Sequence, residues 1–292
     1  MALRLSFRPV RRRDRAAVAA ICARTWHGWD YVMLFFDNWV REPEFLAVEQ
    51  GDRPVGFGKA TELAPGHWWL EGLRVDPARR GQGIATALSA ELLGRTLARA
   101  PRSVRLATAD VNVESLAIIR RMGFRELVRT KLYRGAPPAA GAAPVRIGVE
   151  EAGEFLAASG ELQANRGLLP YTWLFPPADR FLFARLARTG ALLGWRRRGR
   201  LAGMLIIRPH RYRPRDLELS FAAGDEPARA AMRAYLGRRA ARCGAESVSG
   251  MAAGREMRRA LRGFGIARHA AVRDVLVFEY PTAQSAGLGR MK

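Results

Sequence analysis

Residues 74 to 88 read RVDPARRGQGIATAL, and their types suit the binding of an anion. Two arginines precede two glycines spaced by one residue, and a run with good helix propensity follows. The first backbone N–H groups of a helix lack intrahelical partners and carry the positive end of the helix dipole. Glycines directly before the helix let an anion approach those groups without a Cβ in the way. The stretch therefore predicts a phosphate or pyrophosphate at the amides of roughly 81 to 86; the alternative is a glycine-containing turn with ordinary capping.

Other chemistry is not indicated by the residue types. The pattern is neither the Gly-x-Gly-x-x-Gly of dinucleotide-binding folds nor the Gly-x4-Gly-Lys-Ser/Thr of P-loop enzymes. The two cysteines, Cys22 and Cys243, lie far apart, and the four histidines are scattered. This spacing predicts neither a disulfide framework nor a metal site, and no Ser-His-Asp or Cys-His arrangement stands out.

Alternating strand and helix patterns surround the arginine–glycine stretch. Apolar spacing and turn residues predict the elements that must position it. They are a strand at 3–9, helices at 12–24 and 30–40, a hairpin turning at Gly51-Asp52, a strand at 68–75, a helix at 83–100, a strand at 103–109, a helix at 112–122 and a strand at 126–133.

The second half repeats this order of elements at a spacing of about 145 residues, which is typical of an internal duplication. It contains a hairpin turning at Arg198-Gly199, a strand at 217–224, and a Leu-Gly-Arg triplet at 236–238 that matches 93–95. The alternative is two unrelated α/β halves. Residues 134 to 144 read RGAPPAAGAAP, which predicts a linker at 135–144 between domains at 1–134 and 145–292.

Three linked motifs in residues 3 to 133 closely resemble the GNAT superfamily of CoA-dependent N-acyltransferases. The family's central signature is Arg/Gln-x-x-Gly-x-Gly/Ala, the strand before it commonly ends in Val-x-Pro, and a later helix commonly reads Asn-x-x-Ala/Ser…Gly-Phe. The residues filling these motifs are Arg80, Gly83 and Ala85; Val75, Asp76 and Pro77; and Asn112, Ser115, Gly123 and Phe124.

The resemblance implies a mixed α/β fold. Each of two GNAT-like domains should be a mixed, mostly antiparallel, twisted sheet with splayed central parallel strands, flanked by helices. It also implies a tandem arrangement in which only the first domain binds acyl-CoA. The loop after the strand at 217–224 reads GDEPARAAM, lacks the signature, and places Asp225 and Glu226 where a pyrophosphate would be repelled. Counting back from Phe264 puts Ala252 at the position of Asn112. The second domain is therefore expected to be a degenerate copy.

The activity implied by the resemblance is transfer of an acetyl group from acetyl-CoA to a primary amine of a small molecule or protein, without a metal. The amine attacks directly in a ternary complex. The pyrophosphate is expected on the amides after Arg80, the pantetheine arm along the strand that ends at Val75, and Asn112 near the reacting end. The residues expected to bind acetyl-CoA are Leu73, Arg74, Val75, Arg79, Arg80, Gly81, Gln82, Gly83, Ile84, Ala85, Thr86, Asn112 and Ser115.

A base must take a proton from the amine, and Glu71 is the candidate because the family often places a carboxylate on this strand. It lies roughly 13 Å along the strand from Val75, toward the thioester end. The alternative is an ion pair between Glu71 and Lys59 on the neighbouring strand. Many members carry a tyrosine acid where this chain has Ile119, so the proton donor is open, with Tyr133 as one candidate and water as another.

The acceptor is expected beside the early helices, because the family uses this region to shape the acceptor pocket. Residues 25 to 39 read TWHGWDYVMLFFDNW and are rich in aromatic side chains. Trp29, Asp30 and Tyr31 are the candidate acceptor-binding residues, and Asp30 with Glu71 would attract a cationic amine. The alternative is that most of these aromatic side chains form core.

The composition is strongly basic, with a net charge of +22 over 292 residues. All but three of the 49 basic residues are arginine and the charge is spread, so a dedicated nucleic-acid surface is not favoured. No apolar run approaches the length of a membrane helix and the N-terminus lacks a secretory pattern, which predicts a cytoplasmic protein. Two alternative functions remain at this point: a non-catalytic acyl-CoA sensor, and a basic acetyltransferase associated with RNA or the ribosome. The oligomeric state is not predicted.

Overall fold

The structure is a computed structural model that describes residues 5–25, 30–51, 53–139 and 144–283. The chain forms two compact units. The first unit contains Met1–Leu106, Glu114–Arg125 and Phe278–Lys292, and the second contains Ala107–Val113 and Glu126–Val277. Relative to the halves of the sequence, the second unit takes in two segments of the N-terminal half, and the first unit takes in the end of the last strand.

The first unit is built on a sheet with the strand order β1-β2-β3-β4-β5, followed by the end of β12. Its strands are β1 Leu5–Pro9, β2 Phe45–Gln50, β3 Arg53–Ala64, β4 His67–Val75 and β5 Ser103–Ala109. Its helices are α1 Arg15–Ala23, α2 Val32–Trp39, α3 Ile84–Leu97 and α4 Val113–Arg121. The first strands are antiparallel neighbours, whereas β4 and β5 are parallel.

The central parallel strands of the first unit separate soon after they meet. The pairing of β4 with β5 runs from His67–Ser103 to Trp69–Arg105, and the C-terminal half of β4 continues beyond it. One side of the sheet is covered by α1 and α2, whose apolar faces join a core with Phe36, Trp39 and Phe45. The aromatic rings of this core pack edge to face, with Trp39 and Phe45 centroids 5.3 Å apart.

The second unit is built on a sheet in the order β12-β6-β11-β10-β9-β8-β7. Its strands are β6 Arg125–Gly135, β7 Val145–Arg146, β8 Leu192–Arg197, β9 Arg200–His210, β10 Arg213–Gly224, β11 Val248–Ala252 and β12 Asp274–Tyr280. Its helices are α5 Val149–Ala157, α6 Gly160–Ala164, α7 Arg180–Arg188, α8 Glu226–Cys243 and α9 Arg255–Gly263. The parallel strands β10 and β11 pair over three residues each, so the splay of the first unit recurs here.

The predicted fold class is confirmed: both units are mixed, mostly antiparallel sheets with splayed parallel central strands and flanking helices. One predicted helix begins differently, because residues 12 to 14 form a 3-10 turn before α1. There the Asp14 carboxylate accepts a hydrogen bond from the Arg11 N–H at 2.7 Å. Within the described residues, the helices are too short or too polar to cross a membrane.

Candidate active site

The connection between β4 and α3 is built by local capping. After Val75, the Asp76 carboxylate accepts a hydrogen bond from the Ala78 N–H at 3.0 Å, which starts a 3-10 turn at Pro77–Arg79. Arg24 holds the other carboxylate oxygen of Asp76 at 2.9 Å. Asp76 is thus a capping residue, and the chain leaves β4 in a fixed direction toward the start of α3.

Gly81 and Gly83 give the start of α3 its shape. Their φ angles are +76° and +75°, a left-handed conformation that favours glycine, and Gly83 is the N-cap residue. A Cβ placed on either glycine would have no protein atom within 4 Å, so the space in front of the helix is open.

The amides at this helix start have no acceptor within the protein. In the part of the chain that the structure describes, none of the backbone N–H groups of residues 81–86 donates a hydrogen bond to a backbone or side-chain acceptor. Arg79 and Arg80 lie beside them with exposed side chains. Six consecutive unpaired donors at the positive end of a helix dipole, with arginines next to them, form a surface suited to an anion.

The C-terminal half of β4 offers a free backbone edge. The last pair with β5 is Trp69–Arg105, so Leu73 and Val75 lie beyond the parallel pairing, on the side where β5 has turned away. Val75 is buried and Leu73 partly buried. Among the described residues, no strand pairs with β4 on this side beyond Trp69, and an extended ligand can pair with such a free edge as an added strand.

Glu71 lies on β4 directly opposite Lys59 of β3. The alternative ion pair is not formed, because the buried Lys59 ammonium contacts Glu42 at 2.7 Å. The Glu71 carboxylate instead accepts a hydrogen bond from the Thr61 hydroxyl at 2.8 Å. Glu71 is partly exposed, and the hydrogen bond from Thr61 helps to hold its carboxylate in place.

A β-bulge follows Glu71 directly. The register shifts so that Lys59 pairs with Glu71 while Phe57 pairs with Arg74, which leaves two residues of β4 opposite one of β3. Gly72 adopts φ +68°, and a Cβ there would lie 2.8 Å from the Trp39 ring. The bulge turns the strand between the carboxylate and the free edge. Sequence reasoning missed Thr61 and Gly72; a glycine inside a strand pattern was the available signal for the bulge.

Asp30 forms a buried ion pair with Arg74. The Asp30 carboxylate lies 2.6 Å from Arg74 Nε and 3.2 Å from its Nη2, and its side chain is 1% exposed. Thr25 Oγ and the Val32 N–H also donate to Asp30, at 2.8 and 3.0 Å. The charge of Asp30 is therefore balanced within the protein, and the Arg74 guanidinium, expected to contact acetyl-CoA, is held by Asp30.

Tyr31 lies over the same ion pair. The Arg74 guanidinium stands 5.4 Å from the centre of the Tyr31 ring, and that ring packs edge to face on Trp39. Trp29, the third residue expected to bind the acceptor, lies outside the described residues.

Burial, followed by the charge of Asp30, raises the pKa of the Cys22 thiol to about 12, so this thiol is not a nucleophile at neutral pH.

Asn112 and Ser115 lie at the start of α4. The Asn112 N–H donates to the Ala109 carbonyl at 3.0 Å, a turn that ends β5, and Ser115 lies in the first turn of the helix. Both side chains are partly exposed. The boundary between the two units falls within this connection, with Asn112 in the second unit and Ser115 in the first.

Tyr133, the candidate proton donor, is 3% exposed and belongs to the hydrophobic core of the second unit. It lies on β6 and pairs with Gly250 of β11. The structure thus gives its ring a packing role, and proton donation to a leaving group is better assigned elsewhere.

The start of α8 in the second unit is closed by its own side chain. The Asp225 carboxylate accepts a hydrogen bond from the Ala228 N–H at 2.9 Å and pairs with Arg197 at 2.7 Å.

The position of the second unit that was expected to match Asn112 needs correction. Gly123 and Gly265 follow α4 and α9 with similar positive φ, so Asn112 corresponds to Gly254 rather than Ala252. No group of three or more metal-ligating side chains occurs among the described residues.

Comparison with known proteins agrees with this geometry. Residues 16–124 match the model of the acetyltransferase (GNAT) family. No curated protein matches the chain by sequence. Among solved structures, a GCN5-related N-acetyltransferase from Sphaerobacter thermophilus has a TM-score of 0.67 at 15% identity, over 95% of this chain and 96% of that one.

Two further structures extend the likeness over both units. A GCN5-related N-acetyltransferase from Kribbella flavida has a TM-score of 0.53 at 16% identity, over 94% of this chain and 70% of that one. A tandem GNAT protein from the clavulanic acid biosynthesis pathway has a TM-score of 0.57 at 17% identity, over 94% of this chain and 98% of that one. Residues 16–124 thus match the acetyltransferase (GNAT) family, and the solved structures share the fold of this chain over both units.

Proposed function

We propose that this protein transfers an acetyl group from acetyl-CoA to a primary amine of a small molecule or protein. The observation that carries the proposal is the row of backbone N–H groups at residues 81–86 that have no acceptor in the described part of the chain. Six donors in front of a 14-residue helix match the oxygens of a pyrophosphate. The open space before Gly81 and Gly83 admits a group of that size.

The rest of acetyl-CoA is proposed to follow the free edge of β4. Leu73 and Val75 present backbone groups to the pantetheine amides, beyond the point where β5 separates. The Arg74 guanidinium is held in an ion pair with Asp30, so Arg74 is proposed to contact acetyl-CoA mainly through its backbone. Arg79 and Arg80 add long-range attraction for the phosphates, and Asn112 with Ser115 is proposed to contact the cofactor near its reacting end.

The chemistry supplied by acetyl-CoA is a thioester whose acyl carbon accepts the amine. Glu71 is proposed to take the proton from the incoming ammonium, which frees the nitrogen lone pair. Thr61 holds the carboxylate by donating to one of its oxygens at 2.8 Å. The new C–N bond replaces the C–S bond. The attacking nitrogen gives its second proton to water, and the departing thiolate takes a proton back from water. No enzyme nucleophile is required.

A titration of acetyl-CoA into the protein tests the donor site. We expect saturable one-to-one binding at about 0.15 M salt, where surface electrostatics are partly screened. ATP serves as a polyanion control, and Gly83→Glu should abolish binding because a carboxylate would occupy the pyrophosphate position. Gly244→Glu is the matched control, since Gly244 is also left-handed, with φ +61°, and ends α8 with open space around it.

Equal binding of ATP, or normal binding by Gly83→Glu, would show that this loop does not select CoA. If acetyl-CoA binds as expected, release of its free thiol in the presence of an amine measures turnover.

A further inference from the structure

A cluster of polar side chains lies within the second unit, on the neighbouring strands β9, β10 and β11. Arg208 of β9 pairs with Glu218 of β10, and Glu218 pairs with Ser249 of β11. Glu218, Ser249 and the nearby Ser220 of β10 are all buried. Buried polar groups are costly unless they have partners, so the hydrogen bonds of this cluster show which of its groups the protein leaves unsatisfied.

Glu218 is satisfied within the second unit. One of its carboxylate oxygens accepts a hydrogen bond from the Thr172 N–H at 3.2 Å, and the other accepts one from the Ser249 hydroxyl. Burial raises the pKa of Glu218, which opposes its ionisation. Glu218 is therefore a poor counter-ion for Arg208, although the two residues are paired across the strands.

Arg208 is not satisfied. Its Nη2 donates to the Ser220 hydroxyl at 2.7 Å and to the Pro170 carbonyl at 3.5 Å. Its Nε is buried without a hydrogen-bond partner, and Arg208 forms no ion pair in the described part of the chain. Burial lowers the pKa of Arg208 to about 10, so the guanidinium is still charged at neutral pH. A cation withdrawn from water without a counter-ion costs free energy, and an anion would remove that cost.

A second cation increases the attraction for an anion at this place. Arg185 of α7 lies close enough to Arg208 that its charge also lowers the pKa of Arg208. The Arg185 side chain is exposed and forms no ion pair among the described residues. Two neighbouring guanidinium groups repel each other, so an anion near both is favoured.

The Tyr171 ring fixes the orientation of the Arg208 guanidinium. The guanidinium carbon stands 3.6 Å from the centre of the ring, and the Tyr171 hydroxyl donates to the Pro209 carbonyl at 3.0 Å. Tyr171 and Leu174 also exchange backbone hydrogen bonds of 2.8 and 2.9 Å across a two-residue turn. Stacking uses the face of a guanidinium, whereas an oxyanion binds at its N–H edge, so the two contacts are compatible.

The turn that follows Tyr171 is strained. Thr172 is 2% exposed and adopts φ +54°, a left-handed conformation that is unfavourable for a β-branched residue. It is held there because its N–H donates to Glu218 and its hydroxyl oxygen accepts from the Arg211 N–H at 3.4 Å. Such strain is concentrated at ligand sites and active sites. The strained turn is thus a second observation, independent of the unpaired Arg208, that points to a ligand site here.

We propose that the second unit binds a small molecule through an oxyanion, a carboxylate or a phosphate, at the Arg208 guanidinium. Arg185 adds attraction at longer range. The site lies wholly within the second unit and does not depend on the proposed function. The ligand is bound in addition to acetyl-CoA.

Thermal unfolding of the full-length protein with acetate and with inorganic phosphate tests the proposal. Sodium chloride keeps the ionic strength at about 0.15 M, so that screening is constant. We expect at least one of the two anions to raise Tm with increasing concentration, because it binds the folded state. The more effective anion shows whether the site prefers a carboxylate or a phosphate. Repeating the titration in Gly83→Glu excludes the start of α3 as the source, and the rise in Tm should persist there.

Variants locate the effect. Arg208→Met removes the cation but keeps a long side chain, and it should weaken anion binding about 10-fold or more. Arg208→Lys keeps the charge without the planar fork, so it should fold and still bind the anion less well than the unmodified protein. Arg242→Met, at an exposed arginine near the end of α8, is the matched control and should bind normally.

The proposal is wrong if neither anion raises Tm, or if both Arg208 variants respond to the anion as the unmodified protein does. Acetyl-CoA titration separates this result from the proposed function. Arg208→Met should bind acetyl-CoA with an unchanged Kd. A lack of acetyl-CoA binding by the unmodified protein would overturn the proposed function and leave the anion site standing.

Discussion

The starts of α3 and α8 are the same element of the two units, built in opposite ways. Residues 76–83 separate β4 from α3, and this longer connection contains two left-handed glycines and leaves the amides of 81–86 unpaired among the described residues. Asp225 alone separates β10 from α8, and its carboxylate occupies the helix start. The proposed anion site therefore does not follow from the fold alone. The site depends on connection length and on whether a side chain or a ligand satisfies the helix.

The strands before these helices, β4 and β10, also differ at one equivalent position. Glu71 stands four residues before the end of β4 and accepts a hydrogen bond from Thr61. Ser220 stands four residues before the end of β10, and there a buried arginine on the neighbouring strand, Arg208, donates to the serine hydroxyl at 2.7 Å. The second unit keeps the diagonal contact but has a serine hydroxyl where the first unit has the Glu71 carboxylate.

The largest expected effect comes from Glu71→Gln. We expect kcat to fall about 10²- to 10⁴-fold, because the amine loses its base, while the Kd of acetyl-CoA stays unchanged. The deficit should shrink as the pH rises toward the pKa of the amine. Ser220→Ala, the same position in the second unit, should retain full activity. A kcat for Glu71→Gln within about threefold of the unmodified enzyme would contradict the assignment.

The second prediction concerns Glu218, a buried carboxylate on β10 of the second unit. Burial raises its pKa to about 7, against hydrogen bonds from Ser249 and the Thr172 N–H. The folded state then binds the proton more tightly than the unfolded state, so the contribution of Glu218 to stability is present at low pH and declines between about pH 4.5 and 7.

Glu218→Gln removes this decline. The free energy of unfolding at about pH 8 minus that at pH 5 should therefore be larger in the variant than in the unmodified protein, by on the order of 3 kcal/mol. Thermal unfolding of both proteins at the two pH values measures it. His210 acts in the opposite direction, because burial and Arg213 lower its pKa to about 4, but it is present in both proteins and cancels in the difference. An equal pH dependence in the two proteins would count against the raised pKa.

The third prediction tests whether the α8 start is only a cap. Asp225→Ala should lower the free energy of unfolding by about 0.5–2 kcal/mol, because the Ala228 N–H loses its acceptor. Glu226→Ala, which removes a first-turn acid without removing the cap, should have a smaller effect. Chemical denaturation measures both. Acetyl-CoA binding should remain one-to-one. A second binding site in Asp225→Ala would contradict the conclusion that Asp225 at the α8 start acts only as a cap.

The smallest expected effect is that of Arg80→Ala. Loss of one exposed cation near the phosphates should weaken acetyl-CoA binding about two- to fivefold, and more so at low salt. Titrations at two ionic strengths measure this change. Arg242→Ala, at the far end of α8, serves as the control. A salt-independent effect would assign Arg80 a direct role in shaping the loop rather than one of attraction.

Local patterns in the sequence were sufficient for the main elements and for the loop at Gly81 and Gly83, because both depend on neighbouring residues. The partner of Asp30 was not predictable in this way, since Arg74 is distant along the chain and meets it only through the fold. The repeated Leu-Gly-Arg triplet also shows that identical local sequences can have different tertiary surroundings. A Cβ on Gly94 would meet no atom within 4 Å, whereas one on Gly237 would lie 2.1 Å from the Pro138 carbonyl oxygen.

The last strand was not predicted at all, and neither were α5, α6 and α7. The strand β12 reads DVLVFEY, which is rich in strand-forming residues, but its place between β5 and β6 depends on strands far away in the sequence. Tyr133 is a candidate proton donor in the sequence for a related reason. Its burial depends on β11, which follows more than a hundred residues later, so the sequence around Tyr133 does not reveal it.

The division of β12 between the units has a consequence for synthesis on the ribosome. Phe278 to Tyr280 supply the final strand of the first unit, although that unit begins with β1. Translation therefore delivers β1 to β5 first, and the strand that pairs with the outer edge of β5 only after β6 to β11. Until then β5 is left as a bare edge open to wrong partners, and nascent chains that stop before β12 are expected to be recognised as unfinished.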